Sequence, residues 1–383
     1  MPPKIPVREF FRKAFRLLPA PIKAAYAGFR DARCEVWILT GRESSSGEPL
    51  CVAYAGRDAA KAYLITRLFK GDIRVEPLGC FRRDLARKEA CSRSGEIDLF
   101  FGAIPPSQEA AFRPDVFAVL PGWVCFEAAL GAESRLEKGK KFRKVCDMVA
   151  LKALTREVTR DPVQFERFYR DVYMPFVRVR HEDAASPLSP EAACERFVAD
   201  GCELVWVRKD GVALGGAVMG REDGAAVFWL TGIAAGVPDD LAADASSAVY
   251  YHVFMRAKEM GFSRLNLGYC RPFLADGIAR YKMGFGAYAV KRRMEDGGLL
   301  ALEIVRETRA VKNWLKCNPF VAVDRGGRYS VSGFIDAAQE GVIEDIVDSW
   351  RQRYCVEGGL DLRVYALSPR MHLEREVRFE EPR

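Results

Sequence analysis

Between positions 271 and 282 the chain sets Arg271, Asp276, Arg280, Tyr281 and Lys282 within the twelve residues "RPFLADGIARYK". Cations of this kind near a helix start can neutralise a phosphate or an oxyanion. A carboxylate such as Asp276 can take a proton from an attacking amine, and a phenol such as Tyr281 can give one to a leaving group. Each residue also has a structural reading: Arg271 braces the turn before Pro272, Asp276 caps the helix, and Tyr281 joins the core. His181 lies between Arg180 and Glu182 and is a second candidate base, because imidazole titrates near neutral pH without help. His252, inside "VYYHVFM", reads as a buried, satisfied histidine, and His372 sits in a charged tail without a role. No histidine has a neighbour at metal-ligand spacing, so no metal is expected.

These groups need elements to carry them. "FSRLNLG" reads as a strand that turns into a helix over "LADGIARYKMG", and ligands commonly bind where a strand's carboxyl end meets a helix start. Upstream, "TRDPVQFERFYRDVYMPFVRVRH" has Asp161 as cap, Pro162 at the first helical position and a stripe of aromatic residues. "SPEAACERFVADG" reads as a second helix, with a Ser-Pro opening and a glycine exit at Gly201. Three apolar strands follow, linked by the turns "KDG" and "EDG", then a helix ending at Gly261. "AYAVKRRMEDGGLLALEIV" reads as a last hairpin. Residues 31–130 read as a mixed α/β unit with nothing catalytic standing out. The charge run "RLEKGKKFRK" reads as a connecting helix or a cradle for a polyanion.

The element order across 145–305, with "RLNLGYCRPFLADGIARYKMGFGA", resembles the GNAT acyltransferase superfamily and, within it, the Fem-like (peptidyltransferase-like) branch. "YKMGFG" matches that branch's aromatic-Lys-x-x-aromatic-Gly pattern at Tyr281, Lys282, Phe285 and Gly286. The resemblance implies an α/β, GNAT-like fold, with a mixed, largely antiparallel sheet flanked by helices, and a tandem arrangement in which residues 31–134 would be a degenerate copy. It implies that Lys282 faces phosphate or a tetrahedral intermediate, and that Arg178, Arg180, His181 and Asp183 line the acceptor side beside Arg271 and Arg280. One departure stands out. The loop that holds pyrophosphate in acetyl-CoA users is here "LTGIAAGVPDD", with Gly232 and Gly236 but no preceding Arg or Gln and with two acids behind it.

The expected organisation is therefore a basic amphipathic arm (1–30), a mixed α/β domain (31–134), a GNAT-like acyltransferase domain (135–305) and a C-terminal α/β extension (306–383). The 49% hydrophobic and 29% charged content is that of a folded chain rather than a disordered one. Eleven scattered cysteines without a C-x-x-C pair, and no apolar run of membrane-spanning length, suggest a cytoplasmic protein, peripheral to the inner face of the membrane if residues 1–30 dock there. Phosphate-loop, nucleophile-elbow and Rossmann motifs are absent, which removes support for those enzyme classes. The expected function is an N-acyltransferase using acyl-CoA, a carrier or aminoacyl-tRNA as donor substrate, with no tightly bound cofactor. The acceptor would be an amine, of a cell-envelope or polysaccharide precursor, and DNA is not an expected partner. The alternatives are a non-catalytic module that binds an anionic precursor or membrane surface, and an RNA-binding module using the two basic runs.

Overall fold

The structure is a computed structural model that describes residues 32–93, 95–106, 117–131, 139–181, 187–292, 294, 297–324, 326–336, 342–354, 360–367 and 371–377. The basic arm at 1–30 lies outside the described residues.

The chain begins with a hairpin, β1 (Arg33–Glu43) and β2 (Pro49–Gly56), then α1 (Asp58–Leu68), β3 (Phe69–Arg82), α2 (Arg83–Arg93), β4 (Leu99–Ile104), β5 (Ala118–Pro121) and β6 (Val124–Ala129). Next come α3 (Lys140–Leu151), β7 (Thr155–Thr159), α4 (Pro162–Phe168), a π-helical turn (Tyr169–Tyr173), α5 (Met174–His181) and α6 (Pro190–Ala199). The meander β8 (Glu203–Lys209), β9 (Val212–Glu222) and β10 (Ala225–Ile233) leads to α7 (Asp239–Glu259), β11 (Arg264–Cys270), α8 (Gly277–Gly284) and β12 (Tyr288–Val290). The chain closes with β13 (Leu299–Ile304), α9 (Arg309–Cys317), β14 (Phe320–Val323), β15 (Tyr329–Ile335), α10 (Val342–Tyr354), β16 (Asp361–Ala366) and β17 (His372–Val377).

Local chemistry accounts for many of these limits. Asp161 and Ser189 accept from Val163 N and Ala192 N, each with proline at the first helical turn. The meander turns are Asp210-Gly211 and Asp223-Gly224, all four with positive φ, as a two-residue type I′ turn requires.

Three mixed, largely antiparallel sheets result, flanked by helices, with orders β3-β1-β2-β4-β13-β5, β12-β6-β11-β10-β9-β8-β7 and β14-β15-β16-β17. The second has the GNAT-like succession that its element order predicts, with β10 and β11 running parallel. Sheet membership, however, cuts across the expected boundaries near 134 and 305. β6 comes from the first half yet lies between β11 and β12, while β13 comes from the second yet lies between β4 and β5. The expected hairpin of β12 with β13 is therefore corrected, because each strand pairs in a different sheet. A common unit recurs: an antiparallel pair, a connection containing helix, a strand parallel to the second, and a further antiparallel strand. It is seen in β1-β2-β4-β13, β9-β10-β11-β6 and β14-β15-β16-β17.

The third sheet is a layer between two cores. Val321, Val331 and Val364 pack with the second sheet's core around Phe126, Phe254 and Phe285. Phe320, Phe334 and Leu367 pack with the first sheet's core around Val52, Phe101 and Trp314. Alternation along β14 thus serves both sides.

Candidate functional site

β10 and β11 part company early. They pair only through Ala226 with Leu265 and Val227 with Asn266. The cause is local: the side chain of buried Asn266 accepts from Gly268 N at 2.7 Å, Gly268 takes φ of 75°, and β11 bends away. β10 bulges between Phe228 and Leu230. Among the described residues no strand therefore pairs with the β11-facing edge of β10 beyond Val227, and the two strands part as a wedge at their carboxyl ends.

The bend in β11 explains Lys282. Lys282 is 4% exposed, and its ammonium donates to Gly268 O at 3.1 Å and Tyr269 O at 3.3 Å, at the bend itself. It sits beneath the wedge with its protons directed inward.

The π-helical turn packs against β10. Gly232 of β10 lies against it so closely that a Cβ there would be 3.1 Å from Tyr173 Cα and 3.1 Å from Val172 Cγ1, so this position serves close helix-to-strand contact. Gly236 has φ of 81° in the loop that follows, and α7 then opens with Asp239 and Asp240 in its first turn. Those acids sit where the helix dipole would otherwise favour an anion. Tyr173 is half-buried, and burial pushes its phenol above the usual range, so it stays a proton donor. A π turn often marks a functional site, but nothing in the stripe "FERFYRDVY" distinguishes it from an ordinary helix.

The five residues of the 271–282 run do not share one site: Arg271 and Asp276 both meet Tyr63, whereas Arg280, Tyr281 and Lys282 have other surroundings. The turn itself is held against β14, with Leu274 N donating to Pro319 O and Val321 N to Pro272 O. From it Arg271 turns toward the first half, its guanidinium 4.1 Å over the Trp123 ring and 5.3 Å from that of Tyr63. Asp276 caps α8, one oxygen accepting from Ile278 N at 2.9 Å and the other from Tyr63 Oη at 3.1 Å. Burial raises the Tyr63 phenol well above its ordinary range, so it remains the donor in that pair. Arg280 faces solvent. Tyr281 meets Ser247 Oγ at 3.2 Å, and its ring carries the Lys141 ammonium 3.3 Å from its centroid. Lys141 donates to Tyr281 O, and burial pushes it down to about 8, while the aromatic rings beneath favour its charged form.

Arg178 is exposed on α5. The side chains of Arg180 and His181, and the whole of Asp183, lie outside the described residues, as does the side chain of His372. His252 is buried, its Nε2 3.1 Å from Leu154 O, and burial lowers its pKa. Among the described residues no three His, Cys, Asp or Glu side chains group as metal ligands, and no helix is long and apolar enough to cross a membrane. Sequence reasoning missed Tyr63, Trp123, Lys141 and Tyr173, whose partners lie between roughly 60 and 210 positions away in the chain.

No family model matches the chain, and no curated protein does. Solved structures similar to it include L-PGS from Bacillus licheniformis (12% identity, 72% of this chain and 83% of that one, TM-score 0.34). FemX is similar over 70% of this chain and 84% of its own, at 12% identity and a TM-score of 0.35. A tandem GNAT protein from the clavulanic acid biosynthesis pathway is similar over 74% and 87%, at 12% identity and a TM-score of 0.28.

Proposed function

We propose that this chain is a transferase that moves an acyl or aminoacyl group onto an amine, with the donor's acyl arm laid into the wedge between β10 and β11. The observation that carries the reading is the unpaired edge of β10 beyond Val227. An extended donor arm adding to that edge would direct its carbonyl oxygen at a strand N–H, where negative charge grows as the amine attacks. The C–N bond forms, the oxyanion is held by that N–H, collapse breaks the bond to the leaving group and expels a thiolate or alkoxide that Tyr173 protonates, and the proton shed by the new C–N nitrogen returns to the Tyr173 phenolate. Lys282 then acts by keeping β11 bent rather than by touching the intermediate.

Among donors, an aminoacyl-tRNA fits better than acyl-CoA. Asp239 and Asp240 oppose a diphosphate at α7, whereas exposed Lys140, Arg143 and Lys144 of α3 and Arg280 of α8 offer cations to a polyanion. A cytoplasmic setting with an envelope-precursor amine as acceptor completes the reading, and Arg178 on α5 would belong to the acceptor side.

The test is single-turnover transfer to simple amines from a panel of aminoacyl-tRNAs and acyl-CoAs. Tyr173→Phe should slow transfer by about a hundredfold with donor binding unchanged. A folded chain that neither binds nor consumes any donor of the panel would reject transfer and favour the non-catalytic module.

A further inference from the structure

The first sheet has its own parallel pair. β2 and β4 run side by side through Val52–Leu99 to Ala55–Gly102, the counterpart of β10 and β11 in the common unit. At their carboxyl ends lies a cavity of about 250 Å³, closed on one side by α1 and on another by the turn that carries Arg271. Its lining includes Arg57, Arg83 and Arg271 and, among the described residues, no aspartate, glutamate or lysine.

The three arginines are not equivalent. Arg57 is exposed, and Arg83 donates to Ala103 O. Arg271 is half-buried, stacked on Trp123, and makes one long contact of 3.4 Å to Gly122 O. Its remaining N–H groups meet no acceptor among the described residues. Asp276, which acts on it electrostatically, spends its two oxygens on Tyr63 and Ile278 N. A cation withdrawn from water without an anion is costly, and a guanidinium fork presents two parallel donors that match a carboxylate. One such cation asks for one negative charge. Ala60, Leu64, Ile104, Pro121 and Phe273 give the cavity hydrocarbon walls, beside the phenols of Tyr54 and Tyr63. At roughly 30 Å³ per water-sized group, the space holds about eight to ten non-hydrogen atoms.

We propose that this cavity is a binding site for a small organic carboxylate with a hydrocarbon body, its carboxylate received by the Arg271 fork and its body by the apolar walls. Both halves of the chain line the pocket, and the second supplies the anion-binding group. This site is separate from the wedge and does not depend on acyl transfer there.

Isothermal titration on the full chain decides it, with benzoate, phenylacetate and hexanoate as probes against benzyl alcohol, hexanol, phenyl phosphate and inorganic phosphate. The carboxylates should bind at least tenfold more tightly than the matching alcohols and than either phosphate. Arg271→Met should weaken them at least tenfold without lowering the melting temperature, because it removes a half-buried charge that forms no direct ion pair. Ala60→Phe, which fills the cavity and leaves Arg271 intact, should abolish binding and decides the matter if Arg271→Met does not fold. Absence of carboxylate binding, equal binding of the alcohols, preference for a phosphate, or full affinity in a folded Arg271→Met or Ala60→Phe chain would each overturn the proposal.

Discussion

The ammonium of Lys282 donates to Gly268 O and Tyr269 O, just past the bend after Asn266, and it does so at 4% exposure. Lys282→Met keeps the hydrocarbon volume and removes the donors, so two buried carbonyls lose their hydrogen bonds. The expected cost is about 2–3 kcal/mol in urea unfolding. A lysine acting only on reaction charge would leave the unfolding midpoint unchanged, so the two roles are separable by one titration. Glu203 of β8 is a second buried charge with a defined job. It accepts from Arg256 of α7 at 2.7 and 2.9 Å and from Arg160 at 2.8 and 3.1 Å, and these bonds, Arg256 first, hold its carboxyl below the ordinary glutamate value. A depressed carboxyl contributes stability above the unfolded value, near pH 4.3, and loses it as pH falls through the lower folded value. The urea midpoint should therefore drop on acidification below about pH 4.3, and Glu203→Gln should reduce that slope after an initial loss of about 3 kcal/mol.

The wedge is a property of strands, set by two residues. Asn266 and Gly268 bend β11 because a side-chain oxygen takes the Gly268 N–H and the glycine accepts a φ of 75°. Gly268→Ala meets no crowding, since a Cβ there would lie 4.0 Å from Lys282 Nζ, yet its φ would cost about 1–2 kcal/mol. That strain favours straightening β11 toward β10, so donor binding should weaken along with stability, and hydrogen exchange at Trp229–Ile233 should slow as the edge finds a partner. Faster or unchanged exchange there would show that the edge is not governed by the bend. Elements of this kind were partly legible in the sequence. The capped helices after Asp161 and Ser189 and the two Asp-Gly turns follow from side-chain chemistry within a few residues, and the sequence predicts them. α2 was not legible, because its buried face is Ala86 and Ala90, too small to stand out as an apolar stripe. The π turn was not, because 3.6- and 4.4-residue spacings differ too little over five positions. The candidate site fared worse than the fold, since the five residues at 271–282 are adjacent in sequence but their partners, Tyr63, Trp123 and Lys141, are not.

At the level of the whole molecule, reciprocal strand exchange makes each half incomplete. β6 is buried on both faces, with Val124, Cys125 and Phe126 wholly enclosed between β11 and β12, although it belongs to the first half of the chain. Losing it would expose Val124 and Phe126, each worth about 1.5–3 kcal/mol in burial, together with a row of unpaired groups along β11. β13 completes the first sheet in the same way, with Leu302 enclosed between β4 and β5. The third sheet adds a further dependence, because its two faces cover both cores and neither half can shed it without exposing Phe126 or Phe101 and their neighbours. Local spacing carries no trace of this, since exchange is decided by which partner strand offers the larger buried surface, not by the turn that precedes it. A chain divided after residue 134 should therefore behave as one folding unit in two pieces. Fragments 1–134 and 135–383, co-expressed, should purify together in equal amounts and unfold in a single transition. Each alone should aggregate or lack a cooperative transition, and so should 135–305 by itself. A dispersed amide spectrum or sharp thermal unfolding from 135–305 alone would mean that β6 is dispensable to the second sheet, and the exchange would then be a surface addition rather than the device that joins the halves.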